Sequence, residues 1–327
     1  AGKSSVGVKL PKTEADFSEV AYLLGLIWGD GGSCGKEIRI TNEDKPIIQA
    51  IEQIMGKIFG VQAKTRKYAG KATRIDLAGG LTFYKIITRF FGLPEKRKAE
   101  SIQVPEPIKS APNGVMKAFL QGYFDTDGTV EESRRAASLS SKSKGMLLDV
   151  CLLLLRFGCL STFNEKKSNL YISGSNMKVF AEKIGFRLDR KNQKLLGFAA
   201  ISDSPNRNTD LTPIAQDFLR GLRQRMGLQL KALPKSFEAI EFRKQPVYQT
   251  NLNVFFEKVY SFIGNPEIKD AEAWREIQGL EKTFFDCFTP MVTKKELVEG
   301  EEFVYDFSVE ETHNFIGNGF IIHNTTL

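Results

Sequence analysis

Leu23-Leu24-Gly25-Leu26-Ile27-Trp28-Gly29-Asp30-Gly31 has a second version further along the chain, Leu120-Gln121-Gly122-Tyr123-Phe124-Asp125-Thr126-Asp127-Gly128. Each reads as the end of an apolar helix. Small residues stand four apart, Gly25 and Gly29 in the first and Gly122 and Thr126 in the second, followed by a carboxylate and a glycine. Small residues at this spacing let two helix backbones approach closely. Parallel packing through the two small faces would bring Asp30 and Asp127 together at one end, where they can share divalent metal ions. That is the requirement of a two-metal phosphodiester site. One such turn is an ordinary feature of a core helix, whereas two with the same spacing call for a common explanation.

The flanking residues repeat as well. After the first copy come a strand at 37–41, a helix at 45–59 started by Pro46 and closed by Gly60, strands at 62–68 and 73–77, and a helix at 80–91 ended by Gly92. After the second come a polar strand at 129–138, a helix at 144–157 closed by Gly158, strands at 160–165 and 169–173, and a helix at 176–184 closed by Gly185. Asp30 precedes Gly60 by 30 residues and Gly92 by 62; Asp127 precedes Gly158 by 31 and Gly185 by 58. Two αββαββα units of matched length, residues 14–107 and 108–200, follow from this agreement and make the chain an α+β protein. A 13-residue leader precedes them.

Alternation along the strands turns Ile38, Ile40, Ile75 and Leu77 inward and Glu37, Arg39, Thr41, Arg74 and Asp76 outward, and it aligns Gln62, Lys64, Arg66 and Tyr68. The resulting face is polar and largely basic. Such a face can lie in a major groove, where Arg, Lys and Gln read base edges and neighbouring cations hold phosphates. The candidates are Arg39, Gln62, Lys64, Arg66 and Arg74, with Arg134, Arg135 and Lys166 in the second unit. Charge agrees with a polyanionic partner. The net charge is +7, yet residues 1–200 carry 32 Lys and Arg against 20 Asp and Glu while residues 201–327 carry 14 against 19.

The paired stretches resemble the LAGLIDADG homing endonucleases in their single-chain form with two pseudo-symmetric repeats, over residues 19–200. The resemblance implies a sequence-specific double-strand cut in DNA, made by a monomer with Mg²⁺ or another hard divalent cation at Asp30 and Asp127. A lysine in each repeat serves the metal cluster in that family. Lys98, six residues after Gly92, and Lys191, six after Gly185, are the candidates, with Lys96 and Lys194 close by. Members of the family also include non-cleaving maturases and regulators, which stand as the alternative, as does a splicing element whose nuclease has decayed.

A second resemblance covers residues 286–324, to the β-rich C-terminal end of an intein (Hint) splicing domain. Its residues are Asp306, Thr312-His313-Asn314, and Ile322-His323-Asn324 before Thr325. Asn324 would attack its own carbonyl through its side-chain amide and cut the 324–325 bond. His323 and His313 would move protons, Asp306 would assist, and Thr325 would accept the upstream segment. An intein also needs an N-terminal half that begins with Cys or Ser and carries Thr-x-x-His. Ala1 cannot start an acyl shift, so the chain alone is expected not to splice and to need that half as a partner. Residues 325–327 then belong to the host. Gly-Lys before Thr-Thr-Leu would complete a phosphate-binding loop, which suggests an ATPase.

Residues 201–285 read as a small helical segment, with 12 basic and 11 acidic residues and helices at 214–226, 252–263 and 271–280. They could extend a DNA footprint or act as a spacer. Four cysteines without a Cys-x-x-Cys pair suggest neither zinc nor a disulfide framework, and a reduced, cytoplasmic setting is expected. The longest apolar run, 146–155, is too short to span a bilayer.

Overall fold

A computed structural model describes residues 7–67, 69–70, 72–200, 212, 214, 216–243, 245–263, 271–286, 314–317 and 320–323. The chain divides into two compact units, Ala1–Ser204 with Phe307–Leu327, and Pro205–Asp306.

The first unit opens with α1 (Glu14–Asp30), whose start is set by a capping box. The Thr13 hydroxyl accepts from the Asp16 N–H at 3.2 Å, and the Asp16 carboxylate accepts from the Thr13 N–H at 3.1 Å. Then follow β1 (Gly31–Cys34), β2 (Glu37–Asn42), α2 (Lys45–Lys57), β3 (Ala63–Arg66), β4 (Thr73–Leu77) and α3 (Gly80–Lys85). Short helices α4 (Lys98–Ser101) and α5 (Glu106–Lys109) lead to α6 (Asn113–Asp127). The order then recurs as β5 (Gly128–Glu131), β6 (Ala136–Ser140), α7 (Lys144–Arg156), β7 (Thr162–Asn164), β8 (Asn169–Ser173) and α8 (Ser175–Lys183), before a final α9 (Asp189–Ala199).

Both sheets are antiparallel and share one strand order, β1-β2-β4-β3 and β5-β6-β8-β7. Ile38, Ile40, Ile75 and Leu77 on one inner face, and Val130, Ala137, Leu139, Leu170 and Ile172 on the other, are buried in a single core with the helices. Helices α2 and α7 both stop where a glycine takes the left-handed conformation, at Gly60 (φ 67°) and Gly158 (φ 70°). That conformation lets Val61 and Cys159 turn back and donate to the carbonyls of Met55 and Leu154 at 3.0 Å.

At the centre α1 and α6 pack against each other. Every residue of α1 from Val20 to Trp28 is buried, so it has no solvent face over its last turns. The contact runs through glycine. A Cβ on Gly122 would strike the Tyr22 carbonyl and lie 3.1 Å from the Gly25 Cα, and one on Gly25 would strike the Phe119 carbonyl.

Two expectations need correction, and strand β1 is an element that the sequence did not signal. The stretch 129–138 forms a hairpin and not one strand. Arg135 takes φ 48° in the turn and its N–H returns to the Glu132 carbonyl at 3.2 Å, so Glu131 pairs with Ala136. Strand β1 gave no signal because Gly31-Gly32-Ser33-Cys34 lacks branched and aromatic residues; pairing with β2 makes it a strand. The helix expected at 80–91 changes after Lys85 to a π-helical turn at Ile86–Phe90, where the Phe91 N–H reaches the Ile86 carbonyl five residues back.

The second unit contains α10 (Gln216–Arg225), α11 (Ser236–Arg243), α12 (Gln249–Ile263) and α13 (Ala271–Asp286). Its own core includes Leu219, Leu222, Phe237, Ile240, Phe255 and Phe256, and a two-pronged pair joins Arg223 to the buried Glu241 at 2.6 and 2.9 Å. Towards the C-terminus β9 (Asn314–Gly317) and β10 (Phe320–His323) form an antiparallel hairpin. Among the described residues no helix is long and apolar enough to cross a membrane.

The helix contact is tested by two alanines. Gly122→Ala is expected to destabilise the protein by about 1–3 kcal/mol, because overpacking outweighs the gain in helix propensity. Gly56→Ala in α2, where nothing lies within 4 Å of the new Cβ, is expected to stabilise it by about 0.5–1 kcal/mol. Urea unfolding midpoints of the two variants check both signs.

Candidate active site at two helix ends

Asp30 and Asp127 are the last residues of α1 and α6, and each is partly buried. Loss of water raises both carboxyls above their ordinary value. Asp127, which also feels the charge of Asp30, is pushed up to about 6. Opposing donors hold the charged forms in place. The Asn42 side-chain amide donates to Asp30 at 2.6 Å from the end of β2, and the Tyr123 hydroxyl hydrogen-bonds Asp127.

The two lysines occupy matching places. Lys98 Nζ donates to the carbonyls of Ile27 (3.0 Å), Gly29 (2.6 Å) and Gly31 (2.5 Å). Lys191 Nζ donates to those of Phe124 (3.1 Å), Asp125 (2.6 Å), Thr126 (3.4 Å) and Gly128 (2.6 Å). Each ammonium therefore caps the C-terminal end of a helix, where the carbonyls lack partners and the helix dipole is negative. Burial lowers both lysines. Lys98 falls to about 8 although Asp127 and Asp30 pull it upward. Of the neighbours left open by the sequence, Lys194 pairs with Glu132 at 2.9 Å and Lys96 is exposed.

A further set of residues holds Lys191 in place. Asp125, 2% exposed, accepts from the Tyr22 hydroxyl at 2.9 Å and from the N–H groups of Arg187 and Leu188 at 3.2 Å, which fixes the residues just before α9. Arg187 stacks on the Tyr22 ring, 4.1 Å from its centroid, and forks onto Glu19 at 2.9 and 3.0 Å. The sequence reading passed over Asn42, Tyr22 and Arg187, because their roles depend on contacts between distant segments. Tyr123 and Asp125 lie inside the second apolar stretch, where nothing local sets them apart from their neighbours.

The donor set suits a hard cation. Two carboxylates, raised by burial and by each other, gain from a divalent charge between them, and oxygen ligands match Mg²⁺. Among the described residues no group of three or more His, Cys, Asp and Glu side chains is assembled, so phosphate, water or backbone oxygens would complete the coordination.

The remaining candidates are distributed as follows. Arg39, Lys64, Arg66 and Arg74 share the outer face of the first sheet, and exposed Gln62 lies just before β3. Arg134 and Arg135 sit in the β5–β6 turn, and Lys166 in a 3₁₀ turn at Glu165–Lys167. His323 ends β10, with its backbone paired to Asn314. Tyr68, Asp306, His313, Asn324 and Thr325 lie outside the described residues.

Residues 114–185 match the family model described as LAGLIDADG-like domain. Among curated proteins, elongation factor 2 of Methanopyrus kandleri is 33% identical over 328 residues, covering 99% of this chain and 24% of that protein. A probable translation initiation factor IF-2 of Thermococcus kodakarensis is 29% identical, covering 100% of this chain and 31% of that protein. The glutamine–fructose-6-phosphate aminotransferase of Methanocaldococcus jannaschii is 25% identical, covering 97% and 28%. The chain thus spans about a quarter to a third of the length of these relatives. Among solved structures, mesophilic variants of the homing endonuclease I-DmoI align over 52% of this chain and 91% of theirs, at 20% identity and a TM-score of 0.40. Full-length DUF199/WhiA from Thermatoga maritima aligns over 82% and 87%, at 15% identity and a TM-score of 0.40.

A folded carboxyl at about 6, against its ordinary 3.8, keeps its stabilising contribution below pH ~4 and loses it as pH rises through 6. In a chelator, Asp127→Asn is therefore expected to match the parent near pH 4 and to exceed it in stability at pH 7–8. Urea unfolding across that range is the check.

Proposed function

We propose that this chain is the endonuclease-bearing C-terminal portion of an intein, with two pseudo-symmetric LAGLIDADG repeats that cut both strands of a long duplex site. The observation that carries the nuclease reading is the pair of carboxylates at the ends of two glycine-packed helices, one end capped by the half-buried Lys98 and the other by the buried Lys191. A protein that only binds DNA has no need to draw two acids together and partly out of water, since their desolvation opposes folding.

Asp30 and Asp127 would hold the cation, with Asn42 and Tyr123 fixing their oxygens. When bound, Mg²⁺ supplies charge neutralisation at the scissile phosphate and lowers the pKa of water. Lys98 Nζ, with a pKa near 8, can hold or release a proton at neutral pH beside the acids. The basic outer face of the first sheet supports contact with duplex DNA, and each sheet would cover half of the site as the monomer binds.

The intein reading draws on the relatives. Nearly the whole of this chain aligns with a minor part of two translation factors and an aminotransferase, whose names describe unrelated activities. A segment common to such different proteins is accounted for by insertion into each. Asn324 cyclisation to a succinimide would then release the segment that begins at Thr325, with His323 and His313 supplying the protons.

Incubation with a randomised duplex library in Mg²⁺ is expected to yield a cut site. Asp30→Asn and Asp127→Asn should each bind that site yet cut it at least about 100-fold more slowly, because even the outer partners of metal ligands are worth 10–100-fold. Binding by all three proteins without cutting would establish the non-cleaving alternative. For splicing, mixing the chain with an N-terminal intein half should give a ligated product by mass spectrometry and none with Asn324→Ala; absence of product from the parent would remove the splicing role.

A further inference from the structure

Helices α2 and α7 hold the same place in the recurring order of elements and match residue by residue, from Lys45 and Lys144 to Lys57 and Arg156. Their inner positions agree. Ile47, Ile51, Ile54 and Met55 are buried in α2, as are Met146, Val150, Leu153 and Leu154 in α7. Their outer positions do not. Where α2 carries the exposed Gln49, Gln53 and Gly56, α7 carries Leu148, Leu152 and Leu155, which are 42%, 37% and 38% exposed. The fold does not require apolar residues there, since nothing lies within 4 Å of a Cβ placed on Gly56. Spacings of four and three put the leucines in one stripe along the helix, with the partly buried Cys151 between them. A single exposed leucine needs no explanation, but three in line on one of two matched helices do.

Charge around the stripe selects its partner. The acids on its borders are engaged: Glu165 accepts from Lys144 at 2.6 Å, and Asp149 pairs with Lys109 at 3.1 Å and accepts from the Val104 N–H at 3.0 Å. The bond from Lys144 draws the Glu165–Lys167 turn to the start of α7. Lys142 and Lys167 are exposed at that end. At the other end Arg156 is exposed and donates to the Lys109 carbonyl at 3.3 Å. Among the described residues none of these three cations pairs with an acid. A second copy of the chain fits poorly, because two such stripes laid together would oppose cation to cation in either direction. Three leucines little more than a third exposed also fall far short of the ~800 Å² per partner that a stable dimer buries. An acidic partner gains at both ends of the stripe. Apolar side chains at this spacing are met by the matching ridge of another helix.

We infer that the outer face of α7 is a docking surface for an acidic amphipathic helix of another protein. Leu148, Leu152 and Leu155 meet its apolar stripe, and Lys142, Lys167 and Arg156 meet its carboxylates. Because the inner face of α7 packs on the second sheet, the docking face is turned away from the outer sheet face offered to duplex DNA. The inference therefore stands apart from the nuclease and splicing readings.

The test measures binding of the full chain to a labelled synthetic helical peptide by fluorescence anisotropy. The peptide has leucines at the same four-and-three spacing with glutamates on either side, and a control peptide has lysines in place of the glutamates. The acidic peptide is expected to bind and the basic one not to. Leu148→Gln with Leu152→Gln, the residues that α2 carries at these places, should weaken binding about tenfold to a hundredfold. Arg156→Gln with Lys167→Gln should weaken it less and reduce its dependence on salt. Urea unfolding midpoints should stay at the parent value, as for other surface changes, so that lost binding is not lost fold. Equal affinity for both peptides, or none for either, would overturn the inference. Self-association of the parent that the leucine variants abolish in sedimentation would also overturn it, in favour of a second copy. Flotation of the parent but not the variants with phosphatidylserine vesicles would overturn it in favour of a membrane.

Discussion

The close approach of α1 and α6 is the constraint on which the rest of the first unit depends. Gly25 and Gly122 let the two backbones touch where any Cβ would meet a carbonyl, and from that contact the helix ends are carried to one place. Because α1 is buried all round over its last turns, it cannot slide or roll without exposing Leu23, Leu26 or Trp28. Asp30 and Asp127 are thus held by the packing of residues that take no part in their chemistry.

That geometry concentrates negative charge. Two parallel helices end together, each with unpaired carbonyls and a negative dipole end, and each adds a carboxylate. Lys98 and Lys191 are the response within the chain. Each ammonium gathers three or four carbonyls, and both are lowered because burial resists their charge. Burial thus opposes charge on all four side chains, raising the two acids and lowering the two lysines.

The two halves reach this common arrangement by different means. In the second, Asp125 gathers Tyr22 and two backbone N–H groups to place the segment that bears Lys191. In the first the equivalent residue is Trp28, whose indole N–H donates to the Gln103 carbonyl at 2.7 Å while its ring meets Phe119 edge-on. A buried carboxylate and a buried indole do the same work of tying a following segment to the helix end.

Much of this was legible in the residues. The small-residue spacing, the terminal acids, the glycines that stop α2 and α7 and the period of two in β2 and β4 are local signals, and each is tied to backbone sterics or to one buried face, so the sequence alone pointed to a recurring order of elements and to the acids and lysines that the structure places at the two helix ends. What it could not show were pairings between distant segments. Strand β1 exists because β2 lies beside it, the 129–138 hairpin closes because Arg135 can turn, and Asn42, Tyr22 and Arg187 acquire roles only from neighbours up to 168 residues away. The physical reason is that a hydrogen bond or ion pair between remote residues leaves no periodicity in the chain. Tertiary structure alone decided which polar groups meet.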